Sequence, residues 1–274
     1  LWAGRSAAHG HATAALRLTA YLVWTFLCLP PYLVLLALGR ASGLSRLYWR
    51  IVCRLVGFKL VIYGDMAHEA PTLFVCNHVS YLDILVLGGL LPGRFVAKSD
   101  VAGWPGIGLL AKLGRTVFIH RRPILAASQT AMLATHLRDK DSLIIFPEGT
   151  STDGNRVLSF KSALFSAAEV MVDGLPILVQ PVTLAYTRLN GLPMGRAFRP
   201  FFAWYGDMTL LPHLWQALGQ GRVQVEVEFH PPVRQSDYAT RKSLALHCQR
   251  QIRHGHSRAL SGRRAQAVAT KAAQ

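Results

Sequence analysis

The chain has 274 residues, 51% of them apolar, with a mean hydropathy of +0.26 and a formal net charge of +16. That length holds one sizeable domain with additions and ample material for a core. The charge lies at the ends: residues 1–63 carry +7, residues 64–233 carry +1, and residues 234–274 carry +8. A near-neutral middle between basic ends, one of them very apolar, points to an anionic membrane surface. A nucleic-acid groove is excluded, because no aromatic residues interleave with a basic stripe. Cys28, Cys53, Cys76 and Cys248 form no Cys-x-x-Cys pair and read as small buried hydrophobes in a reducing compartment. The eleven histidines show no zinc-ligand spacing, so no metal and no bound cofactor is expected.

Residues 1–17 are small and polar and give few structural signals. Residues 18–39 contain no charge and are long enough, as a helix, to cross about 30 Å of hydrocarbon. Pro30 and Pro31 in the middle of this segment predict a kink or a break, so a re-entrant segment competes with a straight span. Arg17 and Arg40 flank it, which favours both ends on the cytoplasmic side. In residues 44–55, Arg46, Arg50 and Arg54 recur opposite Leu47, Ile51 and Leu55, the pattern of a basic amphipathic helix suited to the headgroup layer.

Strand and helix signals then alternate. Strands are predicted at 59–63, 73–76, 95–97, 116–119, 143–146, 177–184 and 223–229. Helices are predicted at 80–91, 107–113, 124–138, 160–172, 209–218 and 237–254. Pro181 inside the sixth strand predicts a break or an edge there. The clean apolar and polar alternation of 223–229 also predicts an edge strand with one wet face. The composition after residue 254 reads as a disordered basic tail.

The chemistry gathers where apolar runs stop. Residues 73–76 end at Asn77 and His78, and Asp83 falls in the first turn of the helix that Ser80 opens. Asp83 is thereby turned back toward the imidazole of His78. A histidine held by a carboxylate is a general base for a hydroxyl group, since the carboxylate fixes the tautomer and stabilises the imidazolium. Taken alone, the pair also fits a capping box beside a satisfied turn histidine. Cys76 as a thiol nucleophile beside His78 is disfavoured, and packing is its expected role. Three further strand ends carry Arg121, the Glu148-Gly149-Thr150-Ser151 turn, and Gln180-Pro181.

With these blocks in order, residues 55–232 resemble the glycerolipid acyltransferase family that acylates lysophosphatidic acid and related lysolipids. The blocks are Asn77-His78 with Asp83; 114–121 ending Phe118-Ile119-His120-Arg121; Phe146-Pro147-Glu148-Gly149-Thr150; and Val179-Gln180-Pro181-Val182. Lys98, Pro105, Gly108, Phe160 and Lys161 also fit the family. The resemblance implies His78 as general base, Asp83 as its orienting partner and Arg121 on the anionic head of the acceptor. It further implies that Glu148 and Gly149 shape the acceptor site and that Pro181 helps form the acyl pocket. Ser151 stands where many phosphatidate-forming members have arginine, which leaves Arg122 and Lys161 as helper cations and opens a lyso-ornithine lipid as acceptor.

The expected fold is α/β, a mixed sheet flanked by helices with an N-terminal membrane-embedded helical segment. Its expected divisions are 1–57, membrane-associated; 58–254, the acyltransferase domain; and 255–274, the tail. The expected reaction moves an acyl group from acyl-CoA or acyl carrier protein to a lysolipid hydroxyl, with 1-acyl-sn-glycerol-3-phosphate first and lyso-ornithine lipid as the alternative. Amides in the turn after Asn77 are candidate oxyanion donors. The expected location is the cytoplasmic face of a bacterial inner membrane; the sequence does not read the oligomeric state. A non-catalytic membrane-binding protein is the rival reading. A serine hydrolase is disfavoured by the lack of a Gly-x-Ser-x-Gly elbow.

Overall fold

The computed structural model of the chain describes residues 2–262 apart from 70, 105 and 121–125, with side chains described from Gly10 onward except those of 126–129. In chain order the helices are α1 (Trp2–Ala37), α2 (Ser42–Leu55), α3 (Leu82–Leu90), α4 (Ile107–Leu113), α5 (Ala126–Arg138), α6 (Leu210–Gly219) and α7 (Arg241–Leu260). The strands are β1 (Phe58–Tyr63), β2 (Thr72–Cys76), β3 (Arg94–Lys98), β4 (Val117–Ile119), β5 (Leu143–Ile145), β6 (Met171–Val172), β7 (Leu175–Pro176), β8 (Leu178–Leu189), β9 (Leu192–Pro193), β10 (Val223–Phe229) and β11 (Val233–Arg234).

The sheet order is β1-β10-β8-β2-β5-β3-β4, with β9 and β11 on β8, and with β6 and β7 as a separate pair. Strands β8, β2, β5, β3 and β4 run parallel, and β10 runs antiparallel to β8. Alternate side chains feed two cores, as the period of a strand requires. Phe74, Cys76, Ile144 and Leu184 pack in the layer that includes α1, α2 and α3. Leu73, Val75, Ile145 and Val179 pack in the layer of α5 and α7. All five residues of β2 are buried, so the strand that delivers His78 is central and rigid.

Several expectations are corrected. The helix expected at 160–172 is a 3-10 stretch, Ser162–Glu169, in which Phe165, Ser166, Ala167 and Ala168 are buried in succession. Ser166 Oγ bonds back to the Ala163 carbonyl, a local bond that competes with the helical ladder. Strand β10 lies inside the sheet, because β1 pairs along its outer side. Its alternation recorded two faces of the sheet, and Glu226 of the supposed wet face is buried.

Pro181 neither breaks β8 nor marks an edge: it lies level with Val75 of β2, and its carbonyl accepts the His230 N–H at 3.0 Å. The N and C=O of one strand residue point to the same side. The missing N–H of Pro181 therefore faces the gap between β10 and β11, where no ladder partner is required. Helix α7, expected to stop at residue 254, continues to Leu260 because Gly255, His256 and Ala259 are buried against the domain. The rest of the expected tail, from residue 263, lies outside the described residues.

Helix α1 runs through Pro30 and Pro31 without ending. It is long and apolar enough to cross a membrane over Gly10–Ala37, yet one face is packed along the domain. Trp215 of α6 donates to His11 at 2.8 Å, and Arg17 donates to the Leu218 and Gln220 carbonyls at 2.9 and 2.6 Å. Thr25 pairs with Tyr48 of α2 at 2.9 Å, and Tyr32 donates to the Leu113 carbonyl of α4. From His11 to Tyr32 this is roughly 30 Å of lengthwise packing. Leu22, Val23, Phe26, Leu27, Leu33 and Val34 point outward and are exposed.

Candidate active site

β2 ends at Cys76, and the next seven residues fold into a tight polar knot. His78 Nδ1 pairs with Asp83 Oδ2 at 2.8 Å. The same oxygen accepts the Val79 and Ser80 N–H groups at 2.7 and 3.0 Å. Asp83 is wholly buried. A carboxylate at Nδ1 keeps the proton on that nitrogen and leaves Nε2 bare as a proton acceptor. The imidazole is partly exposed and stacks on Phe146, with ring centroids 4.1 Å apart and planes 22° apart. Ser80 Oγ accepts from the Leu82 N–H at 3.3 Å, a local turn contact; the N-cap of α3 is Tyr81, without a side-chain cap bond, so Ser80 is not the cap that the sequence predicts.

Glu148, at the end of β5 beside β2, is 2% exposed and accepts two backbone N–H groups: His78 at 2.7 Å and Leu158 at 2.6 Å. Burial pushes its carboxyl up to about 7, against the pull of those two donors. Gly149 sits at φ +76°, and a side chain there would meet Lys161 Nζ at 2.6 Å. The positive φ is what calls for glycine in that turn, since the end of the lysine side chain can move aside. Thr150 is exposed beside it. Thr152 N–H donates to the His78 carbonyl at 3.1 Å, and the Ser151 hydroxyl donates to the Trp204 carbonyl, so the turn is tied to the knot around His78.

Asn77 is a brace for the scaffold. Its side chain both donates to the Leu184 carbonyl, at 2.9 Å, and accepts the Leu184 N–H, at 2.8 Å, fixing the end of β2 to β8. The expected oxyanion donors are not available. The amides of His78, Val79 and Ser80 are spent on Glu148 and Asp83. Arg121, with Arg122 and Pro105, lies outside the described residues, although β4 delivers the chain to the same sheet edge.

A cavity of about 910 Å³ runs between α1, α2, α3 and α4. Tyr81 and Leu82, just past His78, line it together with Trp49, Leu110, Arg94 and Asp141. Phe95 lines it and stacks on Phe146, the ring that supports His78. Pro181, expected at an acyl pocket, is not among the residues lining this cavity.

Two contacts to the His78–Asp83 pair escaped the sequence. Tyr186 donates to Asp83 Oδ1 at 3.0 Å, and Phe146 supports the imidazole. Phe146 stands beside the Glu148 turn in the sequence, but nothing there marks it as a stacking partner. Tyr186 carries no local signal, since its partner lies 103 residues away.

The Acyltransferase family model matches residues 59–185. The lyso-ornithine lipid O-acyltransferase of Brucella abortus (strain 2308) is 42% identical over 229 residues, 82% of this chain and 86% of that protein. The enzyme of the same name from Rhizobium meliloti (strain 1021) is 39% identical over 249 residues, 88% of this chain and 85% of that protein. A 1-acyl-sn-glycerol-3-phosphate acyltransferase of Neisseria gonorrhoeae is 33% identical over 171 residues, 61% of this chain and 62% of that protein. The crystal structure of PlsC, the 1-acyl-sn-glycerophosphate acyltransferase of Thermotoga maritima, superposes with a TM-score of 0.64 at 19% identity, covering 90% of this chain and 93% of that one. The fold is therefore shared with PlsC, and the chain belongs to the acyltransferase family as an acyltransferase of lysolipids.

Proposed function

We propose that the protein transfers a fatty acyl group from an acyl thioester to the hydroxyl of a lyso-ornithine lipid. The observation that carries the reaction is the His78–Asp83 pair at 2.8 Å, with Nε2 left bare on a partly exposed ring. His78 Nε2 removes the hydroxyl proton as the oxygen attacks the thioester carbonyl. The C–S bond then breaks, and the thiolate leaves with the proton that the imidazolium returns. General-base help of this kind contributes about 10² to 10⁴ in rate. Glu148 sets the position of the His78 backbone, and Arg121 with Lys161 contacts the headgroup or the donor. The donor is acyl-CoA or acyl carrier protein, and its acyl chain occupies the cavity beneath α1 and α2.

The acceptor reading is supported by the two relatives named lyso-ornithine lipid O-acyltransferase, which match over more than four fifths of this chain. Ser151 agrees with it, because no arginine follows Thr150 to hold a phosphate dianion. Phosphatidate formation, placed first from the sequence, is the second reading, favoured by the match to the Neisseria enzyme. Parallel kcat/KM measurements on both acceptors decide between them. A preference for lysophosphatidate in the wild type overturns the first. His78→Ala is expected to lose at least 10² in kcat while remaining folded. Full activity in that variant overturns the mechanism.

We further propose that the outer face of α1 enters one leaflet, bringing the cavity mouth to the lipid acceptor. In this reading the site faces the cytoplasm, where acyl thioesters are found.

A further inference from the structure

Three aromatic rings stand beside the catalytic knot without a role in the reaction as derived. Tyr81, three residues past His78, lines the cavity. Trp204 is fixed to the same turn, its N–H donating to the Val79 carbonyl at 3.0 Å and its carbonyl accepting the Ser151 hydroxyl. Trp104 follows β3 at the same sheet edge. The Tyr81 and Trp204 centroids are 5.9 Å apart at 73°, and those of Trp104 and Trp204 are 5.5 Å apart at 79°. Rings that meet edge to face form corners that present negative π faces. Such faces attract a cation and offer nothing to a phosphate dianion.

The cluster is held from behind at Tyr81 and has an unpaired donor at Trp204. The Tyr81 hydroxyl pairs with His213 Nδ1 at 2.9 Å, inside the protein. Trp204 Nε1 is buried and has no acceptor among the described residues. A buried indole N–H is normally paired, so this one is poised for an acceptor that arrives with a ligand. Ser151 takes on meaning here: where an arginine would add positive charge, the serine anchors a tryptophan.

We infer that Tyr81, Trp104 and Trp204 form the subsite for the cationic amine of the acceptor headgroup, with the Trp204 indole N–H donating to one of its oxygens. The inference rests on the lyso-ornithine reading and names the residues that enforce it. Ornithine linked to a lipid through one amine keeps the other as an ammonium and also keeps its carboxylate, so one headgroup satisfies both features.

The test is a cycle of protein variant against acceptor variant. Full-length wild type, Trp104→Leu and Trp104→Phe are assayed on lyso-ornithine lipid and on the same lipid with its amine acetylated. Both acceptors are run on one preparation, so the folded fraction cancels in the ratio. Trp104→Leu is expected to lower the preference for the free amine about tenfold, chiefly through KM, and Trp104→Phe to restore most of it. Trp204→Phe, which keeps a ring and loses the N–H, should weaken both acceptors. Equal losses for Trp104→Leu on the two acceptors would reduce the rings to a structural or interfacial role and overturn the inference, leaving the acceptor reading intact. A wild type inert on lyso-ornithine lipid overturns both.

Discussion

Tyr186 of β8 donates its hydroxyl to Asp83 Oδ1 at 3.0 Å, on the carboxylate whose other oxygen holds His78. Burial, reinforced by the neighbouring carboxylate, holds the phenol well above its ordinary pKa, so it remains a donor. Asp83 thus has both oxygens engaged and is itself closed to water. Tyr186→Phe removes one partner and leaves a buried carboxylate oxygen unpaired. A fall in kcat of roughly tenfold is expected, the size of a hydrogen bond to a charged group, with KM little changed. Ring contacts to Phe58 and Phe202 survive in the phenylalanine, so the Tm should drop by only a few degrees. Steady-state kinetics and thermal melts on one preparation check this; an unchanged kcat removes Tyr186 from the mechanism.

Glu148 gives a prediction with a definite sign. Its carboxyl titrates near 7 when folded, against an ordinary 4.5. Between those values the folded state holds more protons than the unfolded one, so the contribution of this group falls as pH rises. The decline reaches about 3 kcal/mol at most across that window. Glu148→Gln is expected to be less stable throughout, since an amide has one acceptor oxygen for two N–H donors, and to show a flatter Tm profile from pH 4.5 to 7. Parallel profiles for the two proteins would show that Glu148 is not titrating there.

The sequence revealed what is local. The buried run ending at Asn77 placed β2, and the short interval from His78 to Asp83 brought the dyad together within one knot. Helix α4 was predicted with its observed bounds, because a glycine precedes and follows an apolar turn. What remained hidden depends on partners distant in the chain. Tyr186 reaches Asp83 only because β8 lies beside β2. Pro181 is tolerated only because its N faces the gap between β10 and β11. Strand β10 is interior only because β1 covers it. The lengthwise packing of α1 was equally invisible, since an apolar span and a half-packed helix share one composition.

The cavity predicts a chain-length effect. Ala111 of α4 lines it together with Leu110 and Gly114. Ala111→Phe fills part of that volume without touching His78. Its kcat/KM for long acyl donors should fall, while short donors are affected less; each methylene excluded from an apolar pocket is worth roughly 1 kcal/mol or more. A donor series of increasing chain length measures the profile. An identical profile in wild type and variant would place the acyl chain elsewhere.

The outer face of α1 supplies the membrane prediction. Val23, Phe26 and Leu27 are 52%, 71% and 65% exposed, on the side of the helix away from Tyr21 and Tyr32. Burying each in lipid contributes roughly 1.5 to 3 kcal/mol, and salt does not screen that term as it screens the basic residues of α2. Removing residues 1–55 outright would be a poor test, because Ala14, Val52 and Cys53 belong to the core and the cavity would lose its roof. The sharper variant changes Val23, Phe26 and Leu27 to glutamate together. Wild type is expected to stay with membranes in high salt and the triple variant to be released, still active on acceptor dispersed in detergent. A helix packed lengthwise also predicts that both of its ends are reached by protease from the same side of a sealed vesicle. Retention of the triple variant at high salt would transfer the attachment to another surface, with exposed Leu211 and Trp215 of α6 the next to change.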